Sequence, residues 1–108
     1  MINPESVFDT IANNLASNPG IKRGQMFGVP TVFVNGNAFI SYFHGSMVFK
    51  LTGKAHAQAM TLQDAKLFDP SGKGRPMKEW IALTPFTREQ WPQLADQALE
   101  YVSTLPAK

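Results

Sequence analysis

Asn35-Gly36, set between "TVFV" and "NAFISYF", constrains the fold of this chain more than any other pair of residues. A two-residue hairpin loop that matches the twist of its strands needs positive φ at both positions, and Asn-Gly supplies it at little cost. The flanking strands are thereby tied antiparallel in a fixed register. Val32 and Val34 alternate with Phe33, so one face is predicted to meet a core and the other to be only partly covered. "QMFG" before this hairpin and "MVFKL" after it are also rich in strand formers, and His44-Gly45-Ser46 is a second candidate turn. An antiparallel meander is predicted from Gln25 to Leu51. Gly28 and Pro30 suit a bend or an edge, because proline has no N–H to give to a ladder.

Helical signals bracket the meander. Asn3, Pro4 and Glu5 supply an N-cap, a first-turn proline and an acidic first turn, and Val7, Phe8, Ile11, Ala12 and Leu15 follow at helical spacing. A helix is predicted from about Pro4 to Ala16, stopped by "SNPG". "GKAHAQAM" predicts a short helix from Lys54 to Met60, and "KLFD" and "MKEWIAL" two further strands. Thr87 and Gln90 stand in capping-box relation ahead of Trp91, Leu94, Ala95, Ala98, Leu99 and Val102, which mark a C-terminal helix. Pro92 moves its start toward Gln90. The expected class is α+β: an antiparallel β-sheet meander packed against N- and C-terminal helices. With 108 residues, 44% hydrophobic and 17% charged, the chain suits one domain over residues 1–108 with one core.

Ten cations against eight anions leave +2, too little for a dedicated nucleic-acid coat, so any basic surface must be local. The absence of cysteine removes disulfides, thiolate metal sites and a cysteine nucleophile. "MINPESVFDTIANN" has no basic segment followed by an apolar one, and no apolar run of about 18 residues occurs. The expectation is a cytoplasmic chain with no membrane partner.

"DPSGKGRPMKEWI" raises the sharpest chemical question. A phosphate-cradling P-loop needs four residues between its first glycine and a Gly-Lys-Ser/Thr that opens a helix. Gly72 and Gly74 are two apart, and Pro76 and a strand follow, so that motif is excluded. A looser nucleic-acid or anion site remains open, built from Lys73, Arg75 and Lys78 and extended by Lys22 and Arg23 where the fold joins them. The alternative is a solvated turn in which the glycines supply backbone freedom. Trp80 is read as a buried anchor under the C-terminal helix, the alternative being an exposed contact. His44 and His56 match no zinc-ligand spacing, and no metal or cofactor is expected. His44 and Ser46 are too close in a tight turn to act as base and nucleophile, and no catalytic residue is assigned. A small-ligand pocket near His44 and Trp80 remains an alternative.

Met26-Phe27-Gly28, "VNGNAF", "MVFKL", Pro76-Met77 with Trp80, and "WPQLADQALEYV" together resemble the N-terminal domain of the TfoX/Sxy family, over about Gly24 to Val102. The resemblance implies a compact bacterial α+β domain with a regulatory or interaction role and no assigned activity. Three functional readings follow: a non-enzymatic module with an unknown protein partner, a weak nucleic-acid or anion binder, and a small-ligand binder or enzyme. Sheet edges also leave a homodimer open.

Overall fold

Asn35 and Gly36 both adopt positive φ, 53° and 84°, as the hairpin requires. They join β2 (Val29–Val34) to β3 (Asn37–Phe43), and His44 and Gly45, at φ 46° and 90°, join β3 to β4 (Ser46–Lys50). The computed structural model describes residues 3–26, 28–69, 72, 74 and 76–107. Its remaining elements are α1 (Pro4–Leu15), β1 (Ile21–Met26), α2 (Gly53–Ala59), β5 (Lys66–Phe68), β6 (Met77–Leu83), a 3₁₀ segment (Pro85–Gln90) and α3 (Trp91–Ser103). The strands form one antiparallel sheet in the order β1-β2-β3-β4-β6-β5. The α+β architecture is as the sequence predicts.

Helices α1 and α3 lie on one face. Phe8, Ile11 and Leu15 of α1 and Trp91, Leu94, Ala98 and Val102 of α3 recur at helical spacing, so each helix turns one stripe to the sheet. They bury Val32, Val34, Met47, Phe49, Ile81 and Leu83. A bulge in β3 pairs Val32 with Ile40 and Phe33 with Ala38, leaving Phe39 as the extra residue. Phe39 and Ile40 therefore both enter the helix-side core although they are consecutive, and both are fully buried. Asn3 Oδ1 accepts from the Glu5 N–H at 2.8 Å and caps α1.

The sequence predicts one core, and the structure has two. Val48, Phe68, Trp80 and Ala82 form a smaller buried cluster with Met26, Ala38, Phe43 and Met77 packed against it. All eight are strand residues on the opposite side of the sheet, where among the described residues no helix packs. Beside them the Thr31 and Ser41 hydroxyls lie 3.1 Å apart and are bonded to the Val29 and Pro30 carbonyls, which satisfies two buried polar groups.

Two local expectations are corrected. Thr87 does not cap α3: it lies inside the 3₁₀ segment, its hydroxyl bonded back to the Thr84 carbonyl at 2.9 Å, and Gln90 takes the N-cap position with no side-chain cap. Proline at Pro85 and Pro92 sets two successive helical starts, and the tighter one uses Thr87. Pro30 is not at an edge either. It sits in β2 between β1 and β3, but the β3 ladder begins one residue later at Thr31, so the missing N–H falls outside the paired stretch with β3.

Phe49 is fully buried at the centre of β4, facing both long helices. Phe49→Ala is expected to lower the unfolding free energy by about 3–5 kcal/mol, read as an earlier midpoint in urea with an unchanged slope.

Candidate functional site

Trp80 is the residue of "KEWI" whose side the structure settles most directly. It is 5% exposed, so the expected burial is right, but it is not under α3. Its register partner is Lys50, and Ile81 is the neighbour that faces the helices, so Trp80 occupies the helix-free side. Its ring packs into the smaller core, with the Lys50 ammonium 5.9 Å from the ring centre. Lys78, two residues earlier in β6, is exposed, but the register of β6 shifts between Met77 and Ile81 and both Met77 and Trp80 pack in the smaller core, so alternation assigns Lys78 to neither side.

Lys22 and Arg23 divide between the two faces. Arg23 turns to the helix side, where its guanidinium lies 2.8 Å from Asp9 Oδ1 and 5.5 Å from the centre of the Phe8 ring. It is thereby occupied in tying β1 to α1 and does not join a basic patch. Lys22 pairs with Phe33 and projects to the helix-free side, exposed. Lys73 and Arg75 lie outside the described residues. Next to them, the Gly72 and Gly74 N–H groups donate to Asp69 at 3.0 and 2.9 Å, a turn that satisfies a carboxylate rather than an external anion.

Two cations that sequence reasoning passed over complete the face. Lys66 of β5 pairs with Ala82, itself in the smaller core, and is exposed; Lys50 shares the side of Trp80. The signal was present in the alternation of "MVFK" and "KLF" but needed the β4–β6–β5 pairing to be read. The six strands hold five cations, Lys22, Arg23, Lys50, Lys66 and Lys78, and one carboxylate, Glu79. Glu79 turns to the helix side, where Oε2 accepts from the Tyr101 hydroxyl at 2.7 Å. Helices α1 and α3 hold Glu5, Asp9, Asp96 and Glu100 and no cation. The near-neutral total therefore conceals a partial segregation: Lys22, Lys50 and Lys66 on one side, and Glu79 with the four carboxylates of α1 and α3, joined by Arg23, on the other.

No protein-family model, curated protein or solved structure matches the chain. The face is therefore read from its own geometry. Among the described residues, no ion pair involves Lys22, Lys66 or Lys78, whereas Lys50 is shared between Glu79, 4.0 Å away, and the Trp80 ring. Five inter-strand steps of about 4.8 Å separate β1 from β5, so Lys22 and Lys66 stand roughly 24 Å apart across the sheet.

His44 and Trp80 are not brought together in a pocket. His44 stands at the rim of a cavity of about 200 Å³ with Phe43, Ser46, Lys66, Phe68, Asp69 and Ala82, and Trp80 is not part of its lining. The His44 ring is held edge-on against Phe43 at 4.3 Å between centres, and Phe43 meets Phe68 in the same way at 4.9 Å. A larger groove of about 390 Å³ runs between α1 and α3, walled by Val7, Ile11, Leu15 and Pro92, with Asp96 as its charged group. Among the described residues no cluster of three histidines or carboxylates is placed to hold a metal ion, and no helix is long and apolar enough to cross a membrane.

The Tyr101 phenol is pushed above its ordinary pKa, first by its hydrogen bond to Glu79, then by burial and the carboxylate charge. A raised folded-state value favours the neutral phenol, so the stabilisation is complete below the unfolded pKa of about 10 and is lost as pH rises through the folded one. Unfolding free energy is expected to fall above about pH 10, and Tyr101→Phe to flatten that fall, measured by urea titration across the alkaline range.

Proposed function

We propose that this chain is a non-enzymatic binding module for extended polyanions, nucleic acid foremost, and that its working surface is the helix-free face of the sheet. The observation that carries this reading is the charge segregation: Lys22, Lys50 and Lys66 share a side that holds no strand carboxylate, while α1 and α3 carry only carboxylates. Spread over roughly 24 Å, the outer lysines are too far apart to meet one phosphate or one nucleotide together, so the partner is a polymer. Lysines meeting a phosphate backbone displace condensed counterions, which is where the affinity of such contacts arises.

This keeps the regulatory or interaction role implied by the resemblance to the TfoX/Sxy N-terminal domain and gives it a partner of defined chemistry. The basic surface proposed differs from the one centred on the Gly72–Gly74 turn. It needs neither Lys73 nor Arg75, and Arg23 has no place in it because Asp9 and Phe8 already engage its guanidinium.

Binding to a fluorescent oligonucleotide, measured by anisotropy over a salt series, tests the reading. The logarithm of affinity is expected to fall linearly with that of salt, and Lys22→Ala and Lys66→Ala each to reduce the slope by about 0.7–0.9. Arg23→Gln is expected to leave the slope unchanged and to cost at most about 1 kcal/mol of stability, since both partners in its ion pair are largely solvated. Binding that ignores salt, or that suffers as much from Arg23→Gln as from the lysine changes, would overturn the assignment.

A further inference from the structure

We infer that the nucleic acid taken by this face is single-stranded and that Phe33 is the platform on which one of its bases stacks. This rests on the polyanion reading and adds which polymer the face prefers. Phe33 lies on the helix-free side, is half-buried, and belongs to neither core cluster, unlike Phe39, Phe43, Phe49 and Phe68. Its register neighbours are Lys22 on β1 and Ala38 on β3. On the β1 side it also meets Gly24, where an added Cβ would come within 3.1 Å of Cε1 of the ring. Gly24 on β1 and Ala38 on β3 thus leave the ring room on both adjoining strands, and the Lys22 cation stands directly opposite it on β1.

That arrangement is the physical requirement for holding a single strand. An unpaired base presents a π-face to an aromatic ring, and a neighbouring lysine meets the phosphate that the base carries with it. In a duplex the base faces are hidden in the stack, so Phe33 would gain nothing from them. Reading a duplex groove calls for a helix or ribbon that can enter it with cations at its tip. The long helices α1 and α3 bear only carboxylates, and among the described helical residues the cations are Lys54 on the seven-residue α2 and Arg88 in the 3₁₀ segment. Gly24 also acquires a role: it keeps clear the space that the Phe33 ring occupies.

Three labelled probes at one salt concentration separate the possibilities: an oligothymidylate, a duplex with the same number of phosphates, and heparin. The wild-type chain is expected to bind the single strand more tightly than the duplex. Phe33→Leu keeps apolar bulk but removes the π-face; it should weaken single-strand binding roughly tenfold and leave heparin binding unchanged, with Phe33→Tyr restoring the wild-type preference. Gly24→Val suits strand backbone and crowds the ring from β1, so it should reproduce the effect of Phe33→Leu by a route that leaves Phe33 in place. Equal affinity for single strand and duplex, or equal losses for oligothymidylate and heparin in Phe33→Leu, overturns the single-strand inference and leaves the polyanion reading standing. Binding to none of the three probes overturns both.

Discussion

The pairing of β4 with β6 is the interaction on which the rest of the molecule depends. Every other pair in the sheet joins strands that follow one another in sequence, whereas β6 enters between β4 and β5 from almost thirty residues downstream of β4. Its register sets Phe49 opposite Ile81 on the helix side and Val48 opposite Ala82 on the other. That one alignment gives α3 its apolar seat and gives the smaller core its centre. It also brings Glu79 under Tyr101 and Trp80 beside Lys50. A slip of one residue would exchange the two faces of β6 and undo all of these at once.

The two sides of the sheet are maintained by different means. On the helix side, large apolar residues on strands and helices interlock, with Arg23–Asp9 and Tyr101–Glu79 closing the periphery. On the other side a small cluster is covered largely by its own strand neighbours, and solubility there falls to lysine ammonium groups at the ends of long stems. Like charges on one face repel, but groups in water farther apart than about 8 Å are largely screened at physiological salt. The arrangement is tolerable in the free chain, and neutralising it is where a polyanion would gain.

Much of this architecture was legible in the sequence, because the strongest signals there are local. Asn35-Gly36 imposes its hairpin through backbone sterics alone, and the apolar spacing of α1 and α3 needs no partner to be recognised. Trp80 shows where such reading stops: burial follows from residue type, but which core receives the side chain depends on the register with Lys50, a contact between distant segments. Lys22 and Arg23, adjacent in sequence and read as one patch, part company for the same reason, since alternation sends them to opposite faces. Thr87 satisfied a capping pattern and was claimed by a 3₁₀ turn that two prolines favour. The basic face was the least legible feature, because its lysines come from three strands and their common side exists only once the sheet is ordered.

The distribution of charge between helices and sheet has a consequence before any contact forms. With Lys22, Lys50 and Lys66 on one side and the carboxylates of α1 and α3 on the other, these charges set an electric moment running through the sheet from the long helices to the lysines. In the field of a polyanion such a body feels a torque as well as an attraction, and it turns while still diffusing. Encounters that begin with the helices foremost are repelled and rotated, so that the lysine face arrives first. A chain with the same +2 spread evenly over its surface would have to find that orientation by chance.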